Sequence, residues 1–418
     1  MITILPSEIS GIAKLPPSKS HAQRLLVAAM LANGISEIHN AGQAEDVKAV
    51  ASIVQRCARS LSLDNDRYTV KGGIDFLPSS VFDCGESALC ARLMVTVLST
   101  KMKPFTITGR GSLLKRPVAF EMHALQSMGL KTENKGKYLP FTVLGGKMQT
   151  GSYQLDTSVS SQFASGMMMT LPTLKGFSTL ELKNLKSRPY VLLTLDVMKL
   201  FGIECEFSTD NIFTCHGDQH YKAASVTVEP DWSSAAALMV AAALCGEIRL
   251  EGLNMHSEQA DIRVLDLLSE AGVSYTADDN HIQILKSKPH AFKFDFTNCP
   301  DLFPVASVLA AGANGVSLLQ GLKRLKFKES DRHGLVYRQL QRAGIPVLVR
   351  EDEIEITGKP VEKFFTTDSH CDHRMAMAFS VLALQSQKGA KIKNHECVNK
   401  SFPGFYETLK QLGGKIDE

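Results

Sequence analysis

The residues best suited to chemistry in this chain recur just ahead of helices. Ser18-Lys19-Ser20, with Arg24 a turn later, stands at the mouth of an apolar run, Leu25 to Leu31, that reads as a helix stopped by Gly34. Lys115-Arg116-Pro117, Ser160-Ser161-Gln162, Ser187-Arg188-Pro189-Tyr190, Lys328-Glu329-Ser330-Asp331-Arg332, Asp372-His373-Arg374 and Lys400-Ser401-Phe402-Pro403 occupy similar places. A helix start exposes N–H groups and the positive end of the dipole, so it favours an anion. Ser, Asp and Pro are expected there as caps and first-turn residues, which accounts for Ser160, Ser233, Asp46 and Asp261. It does not account for Lys19, Arg116, Lys328, Arg332, Arg374 and Lys400. Cations at that end are unfavourable unless an anion is bound, so six of them point to a multiply anionic ligand.

Weaker signals add little. Lys323-Arg324-Leu325-Lys326-Phe327-Lys328 reads as a basic loop after a strand, without the flanking aromatics of a nucleic-acid site. Gly109-Arg110-Gly111 is a fragment of a dinucleotide fingerprint, and there is no Walker phosphate loop. His370 and His373 lack a third ligand, so no metal is expected.

The elements that must position these residues repeat. Gly129, Gly202, Gly272, Gly344 and Gly413 each follow an amphipathic segment at intervals of 69 to 73 residues. A second series, Gly34, Gly176, Gly246, Gly315 and Gly389, follows more apolar helices at the same period with one unit skipped. Two interleaved series define a repeat of about seventy residues, in six copies. Each copy reads as apolar helix, strand, amphipathic helix and a strand pair, such as Ile203 to Ser208 with Asn211 to Cys215. The expected class is α/β, two similar domains each of three βαβαββ-type units, with helix N-termini facing an interdomain cleft. The last copy ends without a return strand, and Ile2 to Leu5 is the natural completion. Residues 1–16 with 229–418 then form one domain and 17–228 a domain inserted in it.

Composition agrees with a globular protein: 44% hydrophobic and 21% charged residues over 418 positions. The net charge of +3 is too mild to argue for nucleic acid or an anionic membrane. Nine scattered cysteines without a Cys-x-x-Cys pair suit the reducing cytoplasm. Met1 runs into a strand-like segment rather than a leader, and the longest apolar runs are too short to span a bilayer.

In order along the chain, Ser18-Lys19-Ser20 with Arg24, Lys115-Arg116-Pro117, Ser158-Val159-Ser160-Ser161-Gln162-Phe163, Ser187-Arg188-Pro189-Tyr190, Lys328-Glu329-Ser330-Asp331-Arg332, Asp372-His373-Arg374-Met375-Ala376-Met377 and Lys400-Ser401-Phe402-Pro403 closely resemble the 5-enolpyruvylshikimate-3-phosphate synthase family. The resemblance covers essentially the whole chain. It implies a hinge that closes on substrate, no metal or organic cofactor, and a monomer. The implied reaction is enolpyruvyl transfer from phosphoenolpyruvate to the 5-hydroxyl of shikimate 3-phosphate, on the route to chorismate.

By the same resemblance Lys19, Asp301 and Glu329 are catalytic. Phosphoenolpyruvate falls to Lys19, Arg116, Gln162, Arg332, Arg374 and Lys400. Shikimate 3-phosphate falls to Lys19, Ser20, Arg24, Ser160, Ser161, Gln162, Ser187, Tyr190, Asp301 and Lys328. His373 and Glu86 support the site. The chain departs from the family at Glu86-Ser87-Ala88, where many members read Asn-Ala-Gly, and at Arg324, where some have Asn. The competing expectations are enolpyruvyl transfer to a UDP-sugar and, from another class, RNA binding or RNA-end processing.

Overall fold

The computed structural model describes residues 1–134, 136–278 and 281–417. The chain divides into two compact units, Pro17–Val228 and a second made of Met1–Pro16 with Glu229–Glu418. The helices of the first are α1 (Lys19–Leu31), α2 (Glu45–Cys57), α3 (Ala88–Ser99), α4 (Ala119–Ser127), α5 (Gln162–Thr170) and α6 (Arg188–Leu200). Those of the second are α7 (Trp232–Cys245), α8 (Val264–Glu270), α9 (Phe303–Gly312), α10 (Arg332–Arg342), α11 (His373–Gln385) and α12 (Phe405–Gln411).

Odd- and even-numbered helices differ because their sequences do. In α7 every residue from Trp232 to Ala243 is buried, as an all-apolar helix requires. In α2 the buried residues are Val47, Val50, Ala51, Ile53, Val54 and Cys57, the stripe of an amphipathic helix. Accordingly α1, α3 and α5 pack together inside one unit, and α7, α9 and α11 inside the other. Gly129, Gly202, Gly272, Gly344 and Gly413 end even-numbered helices with φ between +70° and +104°, where a side chain would be strained.

Six four-stranded sheets complete the repeat among the described residues. In each, one parallel pair is continued by antiparallel strands. Ser152–Asp156, for example, lies parallel to Phe177–Lys183, which pairs antiparallel with Ile212–His216 and through it with Glu206–Phe207. That hairpin is shorter than its alternating pattern predicts, with only Glu206–Phe207 on its first strand. Where the chain passes between units, leading strands are exchanged. Ile9–Ala13, which precedes α1, pairs with Gly246–Glu251, and Ser225–Thr227, which precedes α7, pairs with Ile35–His39. In the last sheet Ile2–Ile4 lies between Ala390–Lys393 and Ile416–Asp417, antiparallel to both, and supplies the missing return strand.

No helix among the described residues is long and apolar enough to cross a membrane. The nine cysteines are free thiols.

Candidate active site

In the unit Pro17–Val228 the polar residues ahead of α1, α3, α5 and α6 are tied to one another. Lys19, the first residue of α1, places its ammonium 3.0 Å from Asp46 in the first turn of α2. Asp46 is therefore a counterion as well as a first-turn acid. Ser87 caps α3 by accepting from the Cys90 N–H, and its hydroxyl donates to Gln23 at 3.1 Å. Arg92 reaches across from α3 to the Gln162 amide oxygen at 3.0 Å, while Ser160 accepts from the Gln162 N–H.

Arg24 is almost fully buried, and its guanidinium donates to Thr194 Oγ1 (2.8 Å), the Ser20 carbonyl (2.9 Å), Ser165 Oγ (3.2 Å) and the Tyr190 carbonyl (3.2 Å). It braces α1 against α5 and α6. Burial brings its pKa down to about 10, with Tyr190 opposing the shift. Ser187, the cap position of α6, has φ +57°, an uncommon left-handed conformation for a side chain. Arg116 is buried just after a 3-10 turn, Gly111–Lys115, that stands in front of α4.

In the other unit the centre is Arg332, the first residue of α10. Its Nε donates to Asp372 Oδ2 at 2.8 Å and its Nη2 to Asp372 Oδ1 at 3.3 Å. Nη1 donates to Asp301 at 2.6 Å, and Nη2 also to Glu329 at 2.7 Å. Side-chain exposure separates their roles: Arg332 is 1% exposed, whereas Asp301 and Glu329 keep 22% and 19%. The guanidinium is enclosed, and the two carboxylates present open faces.

Lys328 lies 3.6 Å from Asp301. Burial alone would raise the Asp301 pKa, but Lys328, Arg332 and Arg374 outweigh it and hold the carboxyl well below the usual range. Lys328 is pushed down to about 8 by burial, with Asp301 opposing and Arg324 and Arg332 adding to the shift. Arg374 and His373 are buried in the first turn of α11, whose cap Asp372 accepts from the Arg374 N–H at 3.0 Å. Lys400, at the end of the 3-10 turn His395–Lys400, donates to the Cys371 carbonyl at 2.8 Å.

Several sequence expectations change here. Arg332 and Lys19 face carboxylates, so a cation at a helix start does not by itself demand a bound anion. Ser233 and Asp261 lie in first turns, as expected, and are further paired with each other: Asp231 caps α7 by accepting from the Ser234 N–H, and the Ser233 hydroxyl donates to the buried Asp261. The basic run at Lys323 is a 3-10 turn, Lys323–Phe327, rather than an open loop, and Arg324 is buried with Nη2 2.5 Å from the Thr297 carbonyl.

Asp372, whose place ahead of α11 marks it in the sequence only as a cap, is a hub that also holds Arg332 and Ser330. Thr194, Ser165 and Arg92 carry no local signal, because each acts through a partner distant in sequence. Among the described residues no group of three or more His, Cys, Asp or Glu is placed to hold a metal.

Six α/β units, each with a four-stranded sheet, make up the described chain, and this fold is shared with known transferases. The crystal structure of the enolpyruvyl transferase NikO from Streptomyces tendae has this fold, with a TM-score of 0.80 at 17% identity over 100% of this chain and 98% of that one. An EPSP synthase structure from Acinetobacter baumannii is also similar, with a TM-score of 0.84 at 26% identity over 100% of this chain and 99% of that one. The EPSP synthase (3-phosphoshikimate 1-carboxyvinyltransferase) family profile matches residues 5–409. The 3-phosphoshikimate 1-carboxyvinyltransferase of Clostridium kluyveri is 34% identical over 421 aligned positions, covering 100% of this chain and 98% of that protein. The chain belongs to the EPSP synthase family.

Proposed function

We propose that this chain transfers the enolpyruvyl group of phosphoenolpyruvate to the 5-hydroxyl of shikimate 3-phosphate, releasing phosphate. The observation that carries the reading is the pair of half-open carboxylates, Asp301 and Glu329, held 2.6 and 2.7 Å from one enclosed guanidinium.

The addition needs a base for the hydroxyl and an acid for the methylene carbon. Asp301 accepts the 5-hydroxyl proton as the oxygen attacks C2, and Glu329 delivers a proton to C3. The tetrahedral adduct then breaks its C2–O bond to phosphate and loses a C3 proton, which restores the vinyl group. A carboxyl with so low a pKa is a weak base in the empty protein. Substrates carrying roughly five to six negative charges compete for Lys328 and Arg374 and raise its proton affinity.

Lys19 assists proton transfer, and Lys19 and Gln162 each contact both substrates. Arg116 holds the phosphate of phosphoenolpyruvate, and Arg332, Arg374 and Lys400 its carboxylate and bridging region. Shikimate 3-phosphate is held by Ser20, Arg24, Ser160, Ser161, Ser187, Tyr190, Asp301 and Lys328, with Arg24 also fixing Ser20 and Tyr190. His373 supports the first turn of α11. The same reading makes the protein a cytoplasmic monomer that binds no nucleic acid.

Phosphate release from phosphoenolpyruvate tests the reading, with shikimate 3-phosphate, with UDP-N-acetylglucosamine and with neither. Release only with shikimate 3-phosphate is expected. Release driven by the UDP-sugar, or none from folded protein, overturns it.

A further inference from the structure

Glu86 stands one residue ahead of the α3 cap, and a negative charge near a proposed phosphate site calls for an explanation. Its surroundings supply one. Glu86 Oε2 accepts from both the backbone N–H and the hydroxyl of Ser112, each at 2.9 Å. Ser112 is the second residue of the 3-10 turn Gly111–Lys115, and the turn is what sets Arg116: the Arg116 N–H donates to the Leu113 carbonyl at 3.1 Å.

The contact ends a longer seam. Ser80–Asp83 runs parallel to Phe105–Thr108. Beyond the strands, Cys84 N–H donates to the Thr108 carbonyl at 2.9 Å and Arg110 N–H to the Gly85 carbonyl at 2.7 Å. Glu86 with Ser112 is the last clasp. The backbone is shaped for it: Gly111 has φ +56°, and a Cβ there would lie 2.4 Å from the Glu86 carboxyl carbon. Two donors on one carboxylate oxygen form charge-assisted bonds that a neutral acceptor makes more weakly.

We propose that Glu86 is a positioning residue for phosphoenolpyruvate, acting through Ser112 and the 3-10 turn on Arg116 and making no contact with substrate. The inference rests on the assignment of the phosphoenolpyruvate phosphate to Arg116. Its negative charge is engaged by the turn, which is how an acid sits close to an anion site without defeating it.

The test is steady-state kinetics on Glu86→Ala, Glu86→Gln, Ser112→Ala, the Glu86→Ala/Ser112→Ala double variant and Arg116→Ala, each compared with the parent protein by thermal melting. Loss of the clasp in Glu86→Ala is expected to raise KM for phosphoenolpyruvate about tenfold, with KM for shikimate 3-phosphate within about twofold and kcat little changed. Glu86→Gln, which still offers an acceptor, should recover most of the affinity. Ser112→Ala should add nothing to Glu86→Ala, because the hydroxyl acts only through the carboxylate.

Four results overturn the proposal: a Gln variant as impaired as the Ala variant, a Gln variant that binds phosphoenolpyruvate more tightly than the parent, additive effects of Glu86 and Ser112, or equal effects on both substrates. Arg116→Ala separates the two levels. If it leaves KM for phosphoenolpyruvate unchanged, the assignment of Arg116 falls and the inference with it. If it raises that KM while the Glu86 and Ser112 variants do not, only the inference falls.

Discussion

The Arg332 guanidinium lies side-on against the Asp372 carboxylate, Nε to Oδ2 at 2.8 Å and Nη2 to Oδ1 at 3.3 Å, with Asp372 fully buried. The pair holds the start of α10 to the start of α11, and the remaining edge of the same guanidinium holds Asp301 and Glu329. Lysine cannot reproduce this, since a point charge cannot serve three carboxylates in fixed directions. Arg332→Lys is expected to lower kcat by at least about a hundredfold. It should also destabilise the protein, because a lysine ammonium cannot pair with both Asp372 oxygens as the guanidinium does. Urea unfolding and turnover measured on one preparation check both halves; a stable, active variant would contradict the hub role.

Lys328 provides a pH test. With its pKa pushed down to about 8 by burial, its ammonium is lost as pH rises through that value, and with it the attraction for a phosphate. The kcat/KM for shikimate 3-phosphate, which reports the free protein, should fall on the alkaline side with an apparent pKa near 8. Lys328→Arg keeps its charge to much higher pH and should flatten that limb, even at a lower maximum.

Asp261 links pH to stability in the opposite sense from a salt-bridged acid. Burial raises its pKa to about 7, with Asp301 and Asp231 adding to the shift and Arg374 and Ser233 opposing it. The folded state therefore binds more protons than the unfolded state between about pH 4 and pH 7, and this residue's contribution declines as pH rises through that window. Asp261→Asn, which can still accept from Ser233, should gain stability over the parent by about 1–3 kcal/mol at pH 8 and by less at pH 5. Equal differences at the two pH values would show that Asp261 does not titrate in this range.

The N-terminal strand closes the last sheet with Ile2 and Ile4 both buried. Ile4→Ala is expected to cost about 2–5 kcal/mol, the range for a large-to-small change in a packed core. Denaturant titration measures it, and a loss below about 1 kcal/mol would mean that the strand is not integral to the unit.

Much of this protein was already legible along the chain. The series Gly129, Gly202, Gly272, Gly344 and Gly413 marked helix ends because a residue that must adopt positive φ is recognisable by type, and the contrast between more apolar and amphipathic helices was visible in the sequence. The missing return strand of the last repeat pointed to Ile2 to Leu5, of which Ile2–Ile4 forms the strand. Residues of the candidate site were found as types at helix starts, where local chemistry is visible.

What pairs with what was not visible there. That Arg24 answers to Thr194 and Ser165, that Arg332 is met by Asp372 and Asp301, and that Glu86 clasps Ser112 are contacts between segments separated in sequence. Only folding decides them, because side chains distant in sequence meet when their elements pack, and a cation's need for a counterion can be met by a carboxylate as well as by a ligand.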